Sequence, residues 1–180
     1  MTASSWVTRW AKCVSSGSRV LDLASGQGRH ARLFSGCGCK VTAVDREPSH
    51  GAALADQRNV HFVAADLERD AWPLGDAKFD AIVVTNYLHR PLFPVLHAAL
   101  APGGMLIYET FAAGNAAFGR PSNPDYLLNT HELFDVFSPH LRVLAFEDGF
   151  VAQPKPAMVQ RLAARRVALG RALTADQCPL

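Results

Sequence analysis

Residues 19–30, RVLDLASGQGRH, constrain this chain more than any other stretch. A short apolar strand leads to Asp22 and passes into a loop with glycines at 26 and 28, after which a helix is expected. Strand, glycine loop and helix in that order let the backbone approach a bound nucleoside and aim helix N-terminal amides at it. The next strand, residues 40–45 (KVTAVD), ends in Asp45, 17 positions after Gly28. A carboxylate there can accept hydrogen bonds from ribose hydroxyls. The unit predicts a nucleotide-like cofactor, and Gly26, Gly28 and Ala31 taken alone also fit a dinucleotide site.

Asp22 separates these readings. In the dinucleotide fingerprint the glycines admit a pyrophosphate, which an anionic Asp22 four residues before Gly26 would repel. A cation is favoured instead, and S-adenosylmethionine has no phosphate but carries a sulfonium and an ammonium. The pattern DxxxGxG at residues 22–28, with Asp45 ending the next strand, resembles class I S-adenosylmethionine-dependent methyltransferases. GQGRHA is similar to their small bacterial tellurite-resistance-type branch, and the likeness spans roughly residues 6–166. Where that family commonly has Gly-Cys-Gly, this chain has Ala24-Ser25-Gly26, residues small enough to keep the turn.

Further strands follow in order. Residues 59–66 (NVHFVAAD) read as a third, 78–85 (KFDAIVVT) as a central fourth buried on both faces, and 100–111 (LAPGGMLIYETF) as a helix end, a Pro-Gly-Gly turn and a fifth strand. Helix-length segments between them predict an α/β, doubly wound, mostly parallel sheet. The resemblance implies the Rossmann-like methyltransferase fold, closed by an antiparallel pair at 141–146 and 158–163.

With 180 residues, 49% of them apolar, the chain suits one domain over 1–180, with 168–180 a loose tail. No apolar run approaches the roughly 20 residues that span a bilayer, so a soluble, cytoplasmic protein is expected. The N-terminal stretch is basic and serine-rich like a transit peptide, but Trp6, Val7 and Trp10 are spaced like the apolar face of a helix, which is the favoured reading. Cysteines 13, 37, 39 and 178 lack CxxC spacing, and the histidines form no HxxxH or HxH pair, so no metal is expected. The net charge of +2 gives no global steering toward nucleic acid. The basic residues from Lys155 onward, among them Arg161, Arg165 and Arg166, read as a solvent face rather than an RNA contact, because no aromatic residue stands among them. A small-molecule acceptor and a monomer or homodimer are expected.

The resemblance assigns cofactor binding to Asp22, Ala24, Gly26, Gly28, Asp45, Arg46, Asp66, Leu67 and Asn86, with Asp66 near the adenine amine and Leu67 near its ring. Arg9, one turn from Trp6, can reach a carboxylate with its guanidinium or stay a solvated surface charge. Tyr87 and His89, just after the fourth strand, are the catalytic candidates, His89 as a base titrating near neutrality or simply as a helix cap. Tyr108, Glu109, Asn115, Phe118 and Arg120 flank the expected acceptor site; Glu109 alternatively pairs with Arg120. The three aspartates can each be a cap or turn former, yet their recurrence at successive strand ends favours the cofactor. Two rivals stand beside a methyltransferase: an NAD-dependent reductase on a Rossmann fold, and a noncatalytic cofactor-binding protein.

Overall fold

The computed structural model describes residues 2–167. Seven strands form one sheet in the order β3-β2-β1-β4-β5-β7-β6. The strands are β1 (Arg19–Leu23), β2 (Lys40–Asp45), β3 (Val60–Ala64), β4 (Phe79–Thr85), β5 (Leu100–Phe111), β6 (Arg142–Val151) and β7 (Ala157–Arg165). The first five run parallel, and β7 lies antiparallel between β5 and β6. β4 is the middle strand, as its apolar run predicts, and all of β4 but Asp80 is buried.

Alternation along the strands divides the core. Val20, Ala81, Val83, Met105 and Ile107 face α1 (Ser5–Ala11) and α2 (Arg29–Gly36), while Leu21, Leu23, Ile82, Val84, Leu106 and Tyr108 face α4 (Phe93–Ala99) and α5 (Glu132–Phe137). α1 starts at Ser4, whose hydroxyl accepts the Trp6 and Val7 N–H groups. Trp6, Val7 and Trp10 are its buried face, as their spacing predicts.

Three local expectations need correction. The Pro102-Gly103-Gly104 turn is instead part of β5, and its extra length is absorbed by a register slip opposite Phe79 and Ala81. Gly104 is required there: a Cβ would sit 2.8 Å from the Ala101 carbonyl oxygen and 2.9 Å from that of Phe79. The segment between β3 and β4 forms turns rather than a crossover helix, and α3 (Ser49–Ala52) is a single turn. The closing hairpin is longer than expected, reaching Val151 on β6 and Arg165 on β7. The expected tail at 168–180, with Cys178, lies outside the described residues.

Candidate active site

Strand order reverses between β1 and β4, and ligands of open α/β sheets bind beyond the C-terminal strand ends at that point. A cavity of about 340 Å³ lies there, lined by Ala24 after β1, Asp45 and Arg46 at the end of β2, residues 65–68 after β3, Tyr87 after β4, and Tyr126. Such a volume falls in the range of small-molecule sites, about 300–1,000 Å³.

The β1 loop is shaped by positive φ angles at Ala24 (52°), Gly26 (53°) and Gly28 (77°). Ala24 is the unusual member, because a Cβ in left-handed backbone is strained. Asp45 fixes the loop from the next strand. Its Oδ2 accepts the Gly26 N–H at 2.8 Å, and its Oδ1 accepts the Glu47 N–H at 3.0 Å and lies 3.1 Å from His50 Nδ1. Asp66 accepts the Glu68 N–H at 3.0 Å in a local turn, while its own N–H donates to Asp70.

Asp22 departs from expectation. It is buried beneath the loop and does not line the cavity. Its Oδ2 accepts the Ala31 N–H at 2.8 Å, bracing the first turn of α2 against β1. Burial pushes its carboxyl up to about 7, against the pull of that hydrogen bond and of Arg29. A buried carboxyl that is only partly ionised near neutrality and stands off the cavity is a poor source of the charge that selects a cation. His30 stands beside it, with Nδ1 4.0 Å from Asp22 Oδ1 and 3.4 Å from Thr85 Oγ1, and with Nε2 accepting the Ser4 N–H at 3.2 Å. Burial holds this imidazole down at about 3, so it is neutral. His30 escapes sequence reasoning, although its place with Ala31 and Phe34 on the buried face of α2 is the available signal.

Tyr87 lines the cavity, and its hydroxyl is buried without a hydrogen-bond partner among the described residues. Burial, with Glu68 and Asp66 nearby, raises it well above the ordinary tyrosine range, so it remains a donor and not a base. Asn86, at φ 54°, donates its N–H to the Glu109 carbonyl and is exposed at the strand end. His89 precedes a 3₁₀ turn at Arg90–Leu92 but makes no side-chain cap bond, and it lies off the cavity lining.

The expected acceptor set disperses. Tyr108 is core, its hydroxyl donating to the Tyr87 carbonyl at 2.9 Å. Glu109 pairs with Arg161 at 2.6 Å, not with Arg120, which is exposed. Arg161 also meets Glu147 at 3.0 Å and lies over the Trp6 ring, so it is an inner cross-brace and not a solvent face. Asn115 is buried, donating to the Pro121 carbonyl and accepting the Met158 N–H. Phe118 is exposed against Phe150, their ring centroids 5.1 Å apart. Arg9 spreads its guanidinium over Trp6 and Trp10, away from the cavity. Ala65, Glu68 and Tyr126, which sequence reasoning did not single out, line it.

Residues 20–104 match the family described as methyltransferase domain. Malonyl-[acyl-carrier protein] O-methyltransferase of Pseudescherichia vulneris is 38% identical over 103 residues, covering 53% of this chain and 40% of the relative. The chain thus spans less than half of that relative's length. TehB from Haemophilus influenzae superposes with a TM-score of 0.76 at 19% identity, over 91% of this chain and 62% of that one. The 1,6-didemethyltoxoflavin-N1-methyltransferase of Burkholderia thailandensis, solved with S-adenosylhomocysteine, gives a TM-score of 0.65 at 24% identity over 90% and 79% of the two chains.

Proposed function

We propose that this chain, which carries a methyltransferase domain at residues 20–104 on the class I S-adenosylmethionine-dependent fold, transfers a methyl group to a small-molecule acceptor. One observation carries the reading: Asp45, Asp66 and Glu68 face the cavity with Arg46 as the single basic residue of its lining. Three carboxylates against one guanidinium attract a sulfonium and an ammonium. They repel a pyrophosphate, each close pair by about 1 kcal/mol at 4 Å in water and about 4 at a protein surface. These carboxylates take the part expected of Asp22 and disfavour the NAD-dependent reductase.

When bound, S-adenosylmethionine would supply a methyl group on a positively charged sulfur for direct displacement by the acceptor's electron pair, its sulfur departing as a neutral thioether. Asp45 receives a ribose hydroxyl and holds the Gly26 amide in place. Leu67 would pack on the adenine and Asp66 would accept from its amine, both being in the lining. Ala24 and Gly26 keep the loop thin enough for close approach, and Arg46 and Asn86 border the same site. The unpartnered Tyr87 hydroxyl would donate to a ligand atom, which would relieve its desolvation. Tyr87 keeps its own proton, and His89 stands outside the lining, so an acceptor that needs no deprotonation fits this cavity best. Catalysis then rests chiefly on holding acceptor and methyl in line and dry, an effect worth up to about 7–11 kcal/mol.

Calorimetric titration with S-adenosylmethionine, S-adenosylhomocysteine and NADH side by side tests this. Binding of the first two alone is expected. NADH binding would restore the reductase, whereas tight S-adenosylmethionine binding without turnover on any acceptor class would favour the noncatalytic reading.

A further inference from the structure

We propose that Arg90 is a positioning residue that fixes Tyr126 as a wall of the ligand cavity; this rests on the reading of that cavity as the cofactor and acceptor site. Tyr126 is the one lining residue that comes from the 112–129 loop, and it is 52% exposed, so packing does little to hold it. It closes a 3₁₀ turn at Pro124–Tyr126, whose start is capped by the Asn123 side chain. Arg90 grips the backbone on both sides of it: Nη1 donates to the Asp125 carbonyl and Nη2 to the Leu127 carbonyl, each at 2.9 Å.

The guanidinium is itself fixed. Nε donates to Glu132 Oε1 at 2.6 Å and Nη2 to Oε2 at 2.9 Å, a two-pronged pair at the start of α5. Glu132 is oriented in turn by the Asn129 N–H and amide. Four of the five guanidinium N–H donors are therefore committed to one geometry, which the ammonium of a lysine cannot reproduce. Arg90 lies three residues beyond Tyr87 on the exit from β4, and the Tyr87 backbone is pinned by the Tyr108 hydroxyl. The two tyrosines of the cavity thus stand on segments that Arg90 ties together. In this arrangement Tyr126 forms a fixed wall of the cavity in which S-adenosylhomocysteine would bind.

The test uses Arg90→Lys, Arg90→Gln, Tyr126→Ala and the double variant Arg90→Gln/Tyr126→Ala, with two readouts. Chymotrypsin cleavage after Tyr126 in the unliganded protein should quicken on the order of tenfold in both Arg90 variants, because the turn opens more often. S-adenosylhomocysteine affinity should fall on the order of tenfold in Arg90→Gln and in Tyr126→Ala, with no further loss in the double variant. A double variant whose loss is the product of the single ones, or an Arg90→Lys protein cleaved at the wild-type rate, overturns the proposal. Should Arg90→Gln not fold, Arg90→Lys carries both readouts, alone and combined with Tyr126→Ala. A wild-type protein that does not bind S-adenosylhomocysteine defeats the cofactor reading, and cleavage alone then judges Arg90.

Discussion

Replacing Asp45 by alanine isolates the contact on which the cofactor reading depends most. A carboxylate offers about four lone-pair positions on its two oxygens. Gly26 N–H, Glu47 N–H and His50 Nδ1 already occupy three of them, which leaves about one for a ribose hydroxyl unless His50 turns away. A hydrogen bond to a charged group contributes about 1.5–3 kcal/mol, so Asp45→Ala should weaken S-adenosylhomocysteine binding about 10- to 150-fold. It should also lower the melting temperature, because the Gly26 and Glu47 amides lose their acceptor. His50→Ala separates the two effects: it removes the competing partner, leaves both amides satisfied, and should keep or improve affinity. Calorimetric titration of the two variants, with thermal melts alongside, gives the answer. A folded Asp45→Ala protein that binds within twofold of wild type refutes the assignment, and a large loss in His50→Ala shows that the imidazole, not a free lone pair, meets the ligand.

Ala24→Gly should raise stability by about 1 kcal/mol by relieving the left-handed backbone at φ 52°, seen as a melting temperature about 2–4 °C higher; a lower one refutes the strain. The buried pair below the loop gives a pH signature. Asp22, raised from 3.8 to about 7, keeps its proton in the folded state and sheds it on unfolding, so its contribution is lost as pH rises toward 7. His30, lowered from 6.5 to about 3, takes up a proton on unfolding, so its contribution is lost as pH falls. Between about pH 4 and 6.5 the two slopes cancel. Asp22→Asn should therefore gain on the wild type by about 1.4 kcal/mol per pH unit over that window in urea titrations, and a difference that does not change with pH refutes the buried proton.

Sequence reasoning reached the strands because burial on both faces leaves a continuous apolar run, as in FDAIVVT, and because Asp45 ends its strand at the ligand-facing edge. It misread Pro102-Gly103-Gly104, since those residues signal a turn and only tertiary packing shows that the spare residues bulge within β5. The stretch between β3 and β4 had the length of a helix but also Pro73, Gly75 and clustered acids, and it folds as turns. Of the cavity lining, Ala24, Asp45, Arg46, Asp66, Leu67 and Tyr87 were legible, because strand order places residues at parallel strand ends together. Those of the acceptor side were not, because their partners lie far along the chain: Glu109 meets Arg161 52 residues away, and Arg90 meets Glu132 42 away.

The three aspartates at successive strand ends show how burial turns one residue type to different work. Asp22, 1% exposed, is deprived of water, which raises its affinity for a proton, and its hydrogen bond to Ala31 ties the first turn of α2 to β1. Asp45, with a side chain 13% exposed, spends two lone-pair positions on the Gly26 and Glu47 amides and meets His50 with a third, and so both builds the loop and faces the cavity. Asp66, 28% exposed, organises only its own turn and leaves its carboxylate at the rim. Negative potential in the cavity thus comes from the partly wet carboxylates of β2 and β3, where charge costs little to maintain, and not from the deepest one. On the proposed reading a cationic ligand is selected by these rim carboxylates, while Asp22 braces the helix that follows the glycine loop.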